Sequence, residues 1–132
     1  MHEFSIAAQL VKGILEFAAK RRAGRIVKVH LELGELACVE SEQLRLCFES
    51  ISRESPLEGA ALEIEPVTAE VCCAHCGYTG PPKYWLGALS FGAIATLECP
   101  RCSKAAEARR GQECVMKSIQ FVRATAAAAA PR

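Results

Sequence analysis

The chain lacks most of what would tie it to a membrane, a nucleic acid or a catalysed reaction. No stretch reaches the roughly 18 uninterrupted apolar residues that a transmembrane helix needs. Charge of one sign is not in excess: 16 basic against 15 acidic residues leave a net charge of +1. That balance gives no general drive toward nucleic acid or an anionic membrane. The N-terminus has no positive n-region, and Gln9, Lys12 and Glu16 interrupt its apolar run, so it does not read as a secretory signal. A cytoplasmic location is expected. Nor does a nucleophile–base pair or a phosphate loop stand out, which argues against an enzyme. Hydrophobic residues make up 51% of the 132 residues, but alanine inflates that share. The chain can bury one modest core.

What the chain does have is eight cysteines. In a reducing compartment these are not structural disulfides, and paired knuckles read as metal ligands. Two pairs stand out, Cys73-x-x-Cys76 and Cys99-x-x-Cys102. Each such turn sets two thiolates on one side of a tetrahedral site, and two turns complete it. Gly77 eases the first turn and Pro100 stiffens the second. The long loop between the pairs is no obstacle, since closure costs only about 0.6 kcal/mol per doubling of length. Zinc is the favoured occupant. The sequence Cys-x-x-Cys-Gly-Tyr with Cys-Pro-x-Cys also suits iron, as in a rubredoxin-like electron carrier. Four thiolates on a divalent ion leave a charge of −2, which Lys83, Arg101 and Lys104 are placed to offset. Cys72 offers a competing Cys-x-x-x-Cys spacing with Cys76, although x-x is the usual turn. His75 reads as a solvent-facing turn residue, Cys47 and Cys114 as small core residues. Cys38 stands in a loop with no assigned role.

Around the cysteines the chain reads as α+β. A helix is expected from about Phe4 or Ser5 to Arg22, with Ser5 as N-cap and Gly24 as its stop. Its apolar stripe is Ile6, Leu10, Ile14 and Phe17, widened by Ala7, Val11, Leu15 and Ala18. A strand follows, with Val27, Val29, Leu31 and Leu33 inward against Lys28, His30 and Glu32. His30 then reads as a solvated strand histidine. A second helix begins near Ser41 as N-cap and buries Leu44, Cys47, Phe48 and Ile51. A short strand carries Leu62 and Ile64 and ends at Pro66. A last strand spans about residues 113–122, with Met116, Ile119 and Phe121 inward and a slip near Lys117-Ser118. The expected architecture is two helices packed on a three-stranded sheet, with a zinc-ribbon-like four-cysteine module inserted before the last strand. The expected boundaries are 1–67 with 113–122 for the first domain and 68–112 for the module. The alanine-rich tail, 123–132, is expected to be disordered.

The N-terminus is a second candidate site. The Met1 amine, the deprotonated amide of His2 and the His2 imidazole close a five- and a six-membered chelate ring on one ion. The Glu3 amide can supply a fourth nitrogen. Planar nitrogen sets suit nickel(II) or copper(II), not tetrahedral zinc.

Several stretches together resemble the HypA family of nickel metallochaperones, which mature nickel–iron hydrogenase. They are Met1-His2-Glu3-Phe4-Ser5-Ile6, Val29-His30-Leu31-Glu32-Leu33-Gly34-Glu35-Leu36, Leu57-Glu58-Gly59-Ala60 and Leu62-Glu63-Ile64-Glu65. The two knuckles and Gly111-Gln112-Glu113 complete the resemblance, which runs from Met1 to about Val122. It implies nickel at Met1, His2 and Glu3, and zinc at Cys73, Cys76, Cys99 and Cys102. It also implies a HypB-like GTPase as partner and the hydrogenase large subunit as client; some members also serve urease. The apolar loop at 77–98, with Tyr84, Trp85, Leu86 and Phe91, and the extra Cys72 depart from the family pattern. That loop is either a docking surface or a cover over the module. The rival class is a zinc-ribbon nucleic-acid binder using Arg101, Lys104, Arg109 and Arg110, which the near-zero net charge disfavours.

Overall fold

A computed structural model describes residues 2–86 and 93–123. The first helix, α1, spans His2–Lys20 and buries Ala7, Val11, Ile14 and Ala18. That stripe has the expected helical spacing, with Ile6, Leu10, Leu15 and Phe17 half-buried at its margins. The start differs from the expectation. Ser5 does not cap the helix; it lies exposed within it, and His2 and Glu3 form the first turn. Glu3 suits that turn because its carboxylate meets the positive end of the helix dipole. The stop differs too. Arg22 takes the left-handed conformation (φ 56°) and breaks the helix, so Gly24 is free to enter the next strand.

Strand β1 spans Ala23–Gly34 and buries Ile26, Val29, Leu31 and Leu33. Val27, expected inward, is 40% exposed, because the inward alternation slips once between Ile26 and Val29. A 3-10 turn, Glu35–Ala37, follows, and then helix α2, Ser41–Ile51. Leu44 and Phe48 are its buried positions, while Cys47 and Ile51 are half-buried. Its N-cap is Glu40, not Ser41. The Glu40 carboxylate accepts from the amides of Gln43 (2.8 Å) and Glu42 (3.2 Å), satisfying two donors that the helix itself leaves open.

Strand β2, Ala61–Val67, runs through Pro66 instead of ending there. The sheet order, with β1 between β2 and the last strand of the chain, explains this. β2 lies at an edge, where a proline need not donate to a neighbour. The small strands are β3 (Glu70–Cys72), β4 (Thr79–Gly80), β5 (Tyr84–Leu86), β6 (Ala93–Ala95) and β7 (Glu107–Arg110). The last strand, β8, spans Cys114–Arg123. Cys114, Met116, Ile119 and Phe121 are its half-buried positions, and its alternation slips at Lys117-Ser118 as the sequence pattern predicts. The chain is thus α+β, with two helices, a three-stranded sheet and a separate four-cysteine module.

Two compact units make up the chain. The first comprises Met1–Leu31, Val39–Ile64 and Met116–Arg132. In it α1 packs against α2, and Arg45 donates to the Leu62 carbonyl. The second comprises Glu32–Cys38 and Glu65–Val115. It holds one sheet of order β4-β3-β7 and the two-stranded ribbon β5-β6. Gly34 and Gly111 lie close together in this unit. The Gly34 amide donates to Glu113 O at 2.7 Å and the Leu36 amide to Gly111 O at 2.6 Å. A Cβ on Gly34 would fall on the Gly111 carbonyl and within 2.7 Å of the Gly111 Cα. Gly111 itself has φ +106°, where a side chain would also meet Ala69.

Candidate metal sites

The second unit brings together Cys73, Cys76, Cys99 and Cys102, whose sulfurs all lie within 4.8 Å of one another. Cys73 Sγ is 3.6 Å from Cys102 Sγ, and Cys76 Sγ is 3.6 Å from Cys99 Sγ. A regular thiolate tetrahedron on zinc has edges of about 3.8 Å, from Zn–S distances near 2.3 Å. The four sulfurs therefore fit one tetrahedral ion. No other group of three or more possible ligands clusters in this way among the described residues. Cys72 stays outside the cluster. It is a strand residue paired with Thr79 and Glu107, and neighbouring residues on a strand face opposite ways. The structure thus selects Cys73 over Cys72.

Both knuckles are built alike. The Gly77 amide donates to Cys73 O at 2.8 Å, and the Ser103 amide to Cys99 O at 2.9 Å. In return the Cys73 amide donates to Tyr78 O and the Cys99 amide to Lys104 O, both at 2.8 Å. The residue after each second cysteine is left-handed, Gly77 at φ 82° and Ser103 at φ 65°. Backbone amides then point at the sulfurs. The Arg101 amide lies 3.3 Å from Cys99 Sγ. The Cys76 and His75 amides hold the Cys73 thiol below its usual range against the effect of burial. Burial is the largest influence on Cys99, yet the Cys102 and Arg101 amides and the neighbouring thiols bring it down to about 7. At Cys102 the Lys104 amide pulls downward, but burial and the three other thiols push the group up to about 11. Four thiols crowded this closely cannot all ionise unless a cation is present.

The shell around the sulfurs is apolar. Val71 and Ala106 are buried beside Cys73 and Cys99, and Leu36 and Tyr78 pack against them. Of the cations expected to offset the thiolate charge, Lys83 is paired with Glu98 at 3.2 Å, and Arg101 lies 5.5 Å over the Tyr78 ring. His75 is exposed, as a turn residue should be. Cys38 is exposed and left-handed, Cys47 is half-buried, and Cys114 is half-buried with its thiol pushed up by burial.

Sequence reasoning gave no role to Glu35. Its Oε1 accepts from the Ala69 amide at 2.7 Å and from the Tyr84 hydroxyl at 2.8 Å. Burial first, and Glu35 second, raise the Tyr84 pKa above its ordinary value. The position of Glu35 directly after the strand glycine Gly34 was the only available signal. The apolar loop forms a ribbon in which Trp85 pairs with Ile94. Trp85 is 60% exposed and does not cover the module. Phe91 lies outside the described residues.

At the other candidate site, Met1 lies outside the described residues. His2 is exposed, and its Nδ1 lies 3.9 Å from Glu3 Oε1. The expected position ahead of the helix is corrected: both residues belong to its first turn. Glu3 Oε2 accepts from the Glu40 amide at 3.0 Å, which ties the start of α1 to the cap of α2. That bond, together with the charge of the neighbouring His2, lowers the Glu3 pKa.

A four-thiol centre with two buried members and an exposed helix-terminal histidine, on an α+β scaffold, define a small metal-handling protein. Comparison with known proteins narrows that class. Residues 1–121 match the family model described as hydrogenase/urease nickel incorporation, metallochaperone, hypA. The chain is similar to hydrogenase maturation factor HypA of Methanopyrus kandleri, at 33% identity over 92% of this chain and 93% of that one. It is similar to the Azotobacter chroococcum factor at 36% identity, over 91% of this chain and 98% of that one. Its fold matches the solution structure of the nickel metallochaperone HypA from Helicobacter pylori with a TM-score of 0.61, at 24% identity over 92% of this chain and 97% of that one. The chain belongs to the HypA family of nickel metallochaperones in hydrogenase maturation. The family's description is that of a metallochaperone.

Proposed function

We propose that this protein takes nickel(II) at its N-terminus and hands it, with a HypB-like GTPase, to the nickel–iron hydrogenase large subunit. The donors are the Met1 amine, the His2 imidazole, and the amides of His2 and Glu3. One observation carries the reading: in a chain of this family, His2 lies exposed in the first turn of α1. Amides of a first turn have no carbonyl partner within their helix, so their nitrogens can bind metal without giving up a helical hydrogen bond of their own. Such chelate rings close best when the backbone ψ is nearer 0° than the helical value of about −42°. Loading therefore unwinds the first turn locally. Protons compete for every donor, so nickel affinity falls as pH falls.

The four-cysteine centre is the resident site in this reading. Cys73, Cys76, Cys99 and Cys102 hold zinc, which cross-links the two knuckles and stabilises the module. The boundaries follow the same division: a nickel domain of 1–67 with 113–122, and a zinc domain of 68–112. A nucleic-acid role has little support, since the second unit carries seven glutamates against five Lys and Arg residues.

The test is nickel titration by calorimetry on untagged protein with a native N-terminus. His2→Ala, and a version with one extra N-terminal residue, should each lose nickel while retaining one zinc by metal analysis. Unchanged nickel affinity in both variants would overturn the terminal-site reading. A coloured, redox-active iron protein would overturn the zinc assignment.

A further inference from the structure

The end of α1, the turn after it and the start of β1 carry Lys20, Arg21, Arg22 and Arg25, all exposed. Arg53, also exposed, lies on the turn whose Pro56 carbonyl accepts from the Ile26 amide at 2.9 Å. Among the described residues none of these five cations is ion-paired to a carboxylate. The nearest carboxylates in sequence are Glu16, Glu54 and Glu58. Glu58 is engaged by the Glu54 amide at 3.2 Å.

The helix dipole accounts for Lys20 and Arg21 at the end of α1. It does not account for Arg22 or Arg25. Arg22 is left-handed at φ 56°, a position where glycine would be more stable by about 1 kcal/mol. A long exposed cation thus stands at a left-handed position that the dipole does not explain. Arg21 is held in place, its guanidinium 4.5 Å over the Phe17 ring.

We propose that this basic knot docks an acidic segment of a protein partner. The compact run of cations matches a short run of carboxylates. A nucleic-acid strand would instead need a longer basic track and open aromatic faces for stacking, and Phe17 is already covered by Arg21. The 19 residues of α1 set the knot about 28 Å from His2 along the helix. A partner held at this end leaves the other end of α1 unobstructed.

The probe is a fluorescein-labelled hexaglutamate peptide, added to full-length protein and read by anisotropy. It carries no metal, so the outcome is independent of the nickel reading. The double variant Arg22→Gly with Arg25→Ser should weaken binding by about tenfold, within the range for two exposed ion pairs. Binding should also weaken as salt rises from about 0.05 M to about 0.3 M. Arg22→Gly relieves the backbone, so the thermal midpoint should not fall, which separates lost docking from lost folding. Equal affinity in wild type and double variant would overturn the proposal. So would a six-nucleotide oligothymidylate that binds more tightly than the peptide and loses affinity in the same variant.

Discussion

Substituting the two knuckles in opposite directions tests whether their backbones are built alike. Gly77 and Ser103 hold equivalent positions, each left-handed and each donating its amide to the first cysteine of its knuckle. A non-glycine residue in that conformation is disfavoured by about 1–2 kcal/mol. Glycine loses more conformational freedom on folding, which offsets about 0.4–1 kcal/mol. The net preference for glycine is therefore about 0.5–1 kcal/mol. A Cβ on Gly77 would meet nothing within 4 Å, so Gly77→Ala carries the backbone term without a clash. Gly77→Ala should destabilise, and Ser103→Gly should stabilise, by that amount. For a chain of 132 residues this is a shift of about 2–5 °C in melting temperature, in opposite directions. Thermal unfolding of metal-loaded protein, followed by circular dichroism, is the assay. Ser103→Ala is the control, because it removes the hydroxyl and keeps the Cβ. If Ser103→Gly gains no more than Ser103→Ala, or Gly77→Ala loses nothing, the matching of the two knuckles is wrong.

Two further changes probe the second unit. Gly34→Ala drives a Cβ into the Gly111 backbone, which cannot step aside as a flexible side chain can. A loss of about 3 kcal/mol, at the upper end for overpacking, should appear as a lowered denaturation midpoint, and a wild-type midpoint would refute the contact. Tyr84→Phe removes the hydrogen bond to Glu35 and should cost about 1 kcal/mol at neutral pH. Because the Tyr84 pKa is raised on folding, its contribution is complete below the unfolded value of about 10 and is lost as pH rises through the folded one. The gap between wild type and Tyr84→Phe in denaturant midpoint should therefore narrow above about pH 10; a constant gap would refute the linkage.

The strongest signals in the sequence were those that local chemistry dictates. The helix stripe, the strand alternation and the two knuckles each follow from a fixed period, and the structure reproduces them. The slip at Lys117-Ser118 was visible because the apolar residues themselves change phase. The misses share a cause in composition. The chain contains no aspartate and no asparagine, residues that commonly cap helices and take left-handed conformations. Those positions fall to less obvious side chains: Glu40 caps α2, and Arg22, Cys38, Glu54 and Ser103 are left-handed. Serine caps and glycine stops, the usual signals, therefore point to Ser5, Ser41 and Gly24 instead. Pro66 misled for a different reason, since edge position belongs to the sheet and not to the strand. Glu35 was invisible because its two partners lie 34 and 49 residues away.

The proposed division between a resident and a travelling metal follows from how each donor set is held. In the knuckles, four sulfurs come from two separate turns, two of them fully buried and each backed by amides. Release there requires sulfurs from two turns to separate, and neither Cys73 nor Cys99 can be reached from outside without disturbing the apolar shell. At the start of α1 the candidate donors come from consecutive residues, of which His2 is exposed. One ligand can leave while the others remain, and an incoming donor can take its place stepwise. The same exposure lets protons and other ions compete, so such a site cannot retain its cargo by burial. It must be emptied or protected by a partner. The hydrogen bond from the Glu40 amide to Glu3 then acquires a use. In the proposed loading it would keep the donor residue Glu3 tied to the start of α2 while the first turn unwinds.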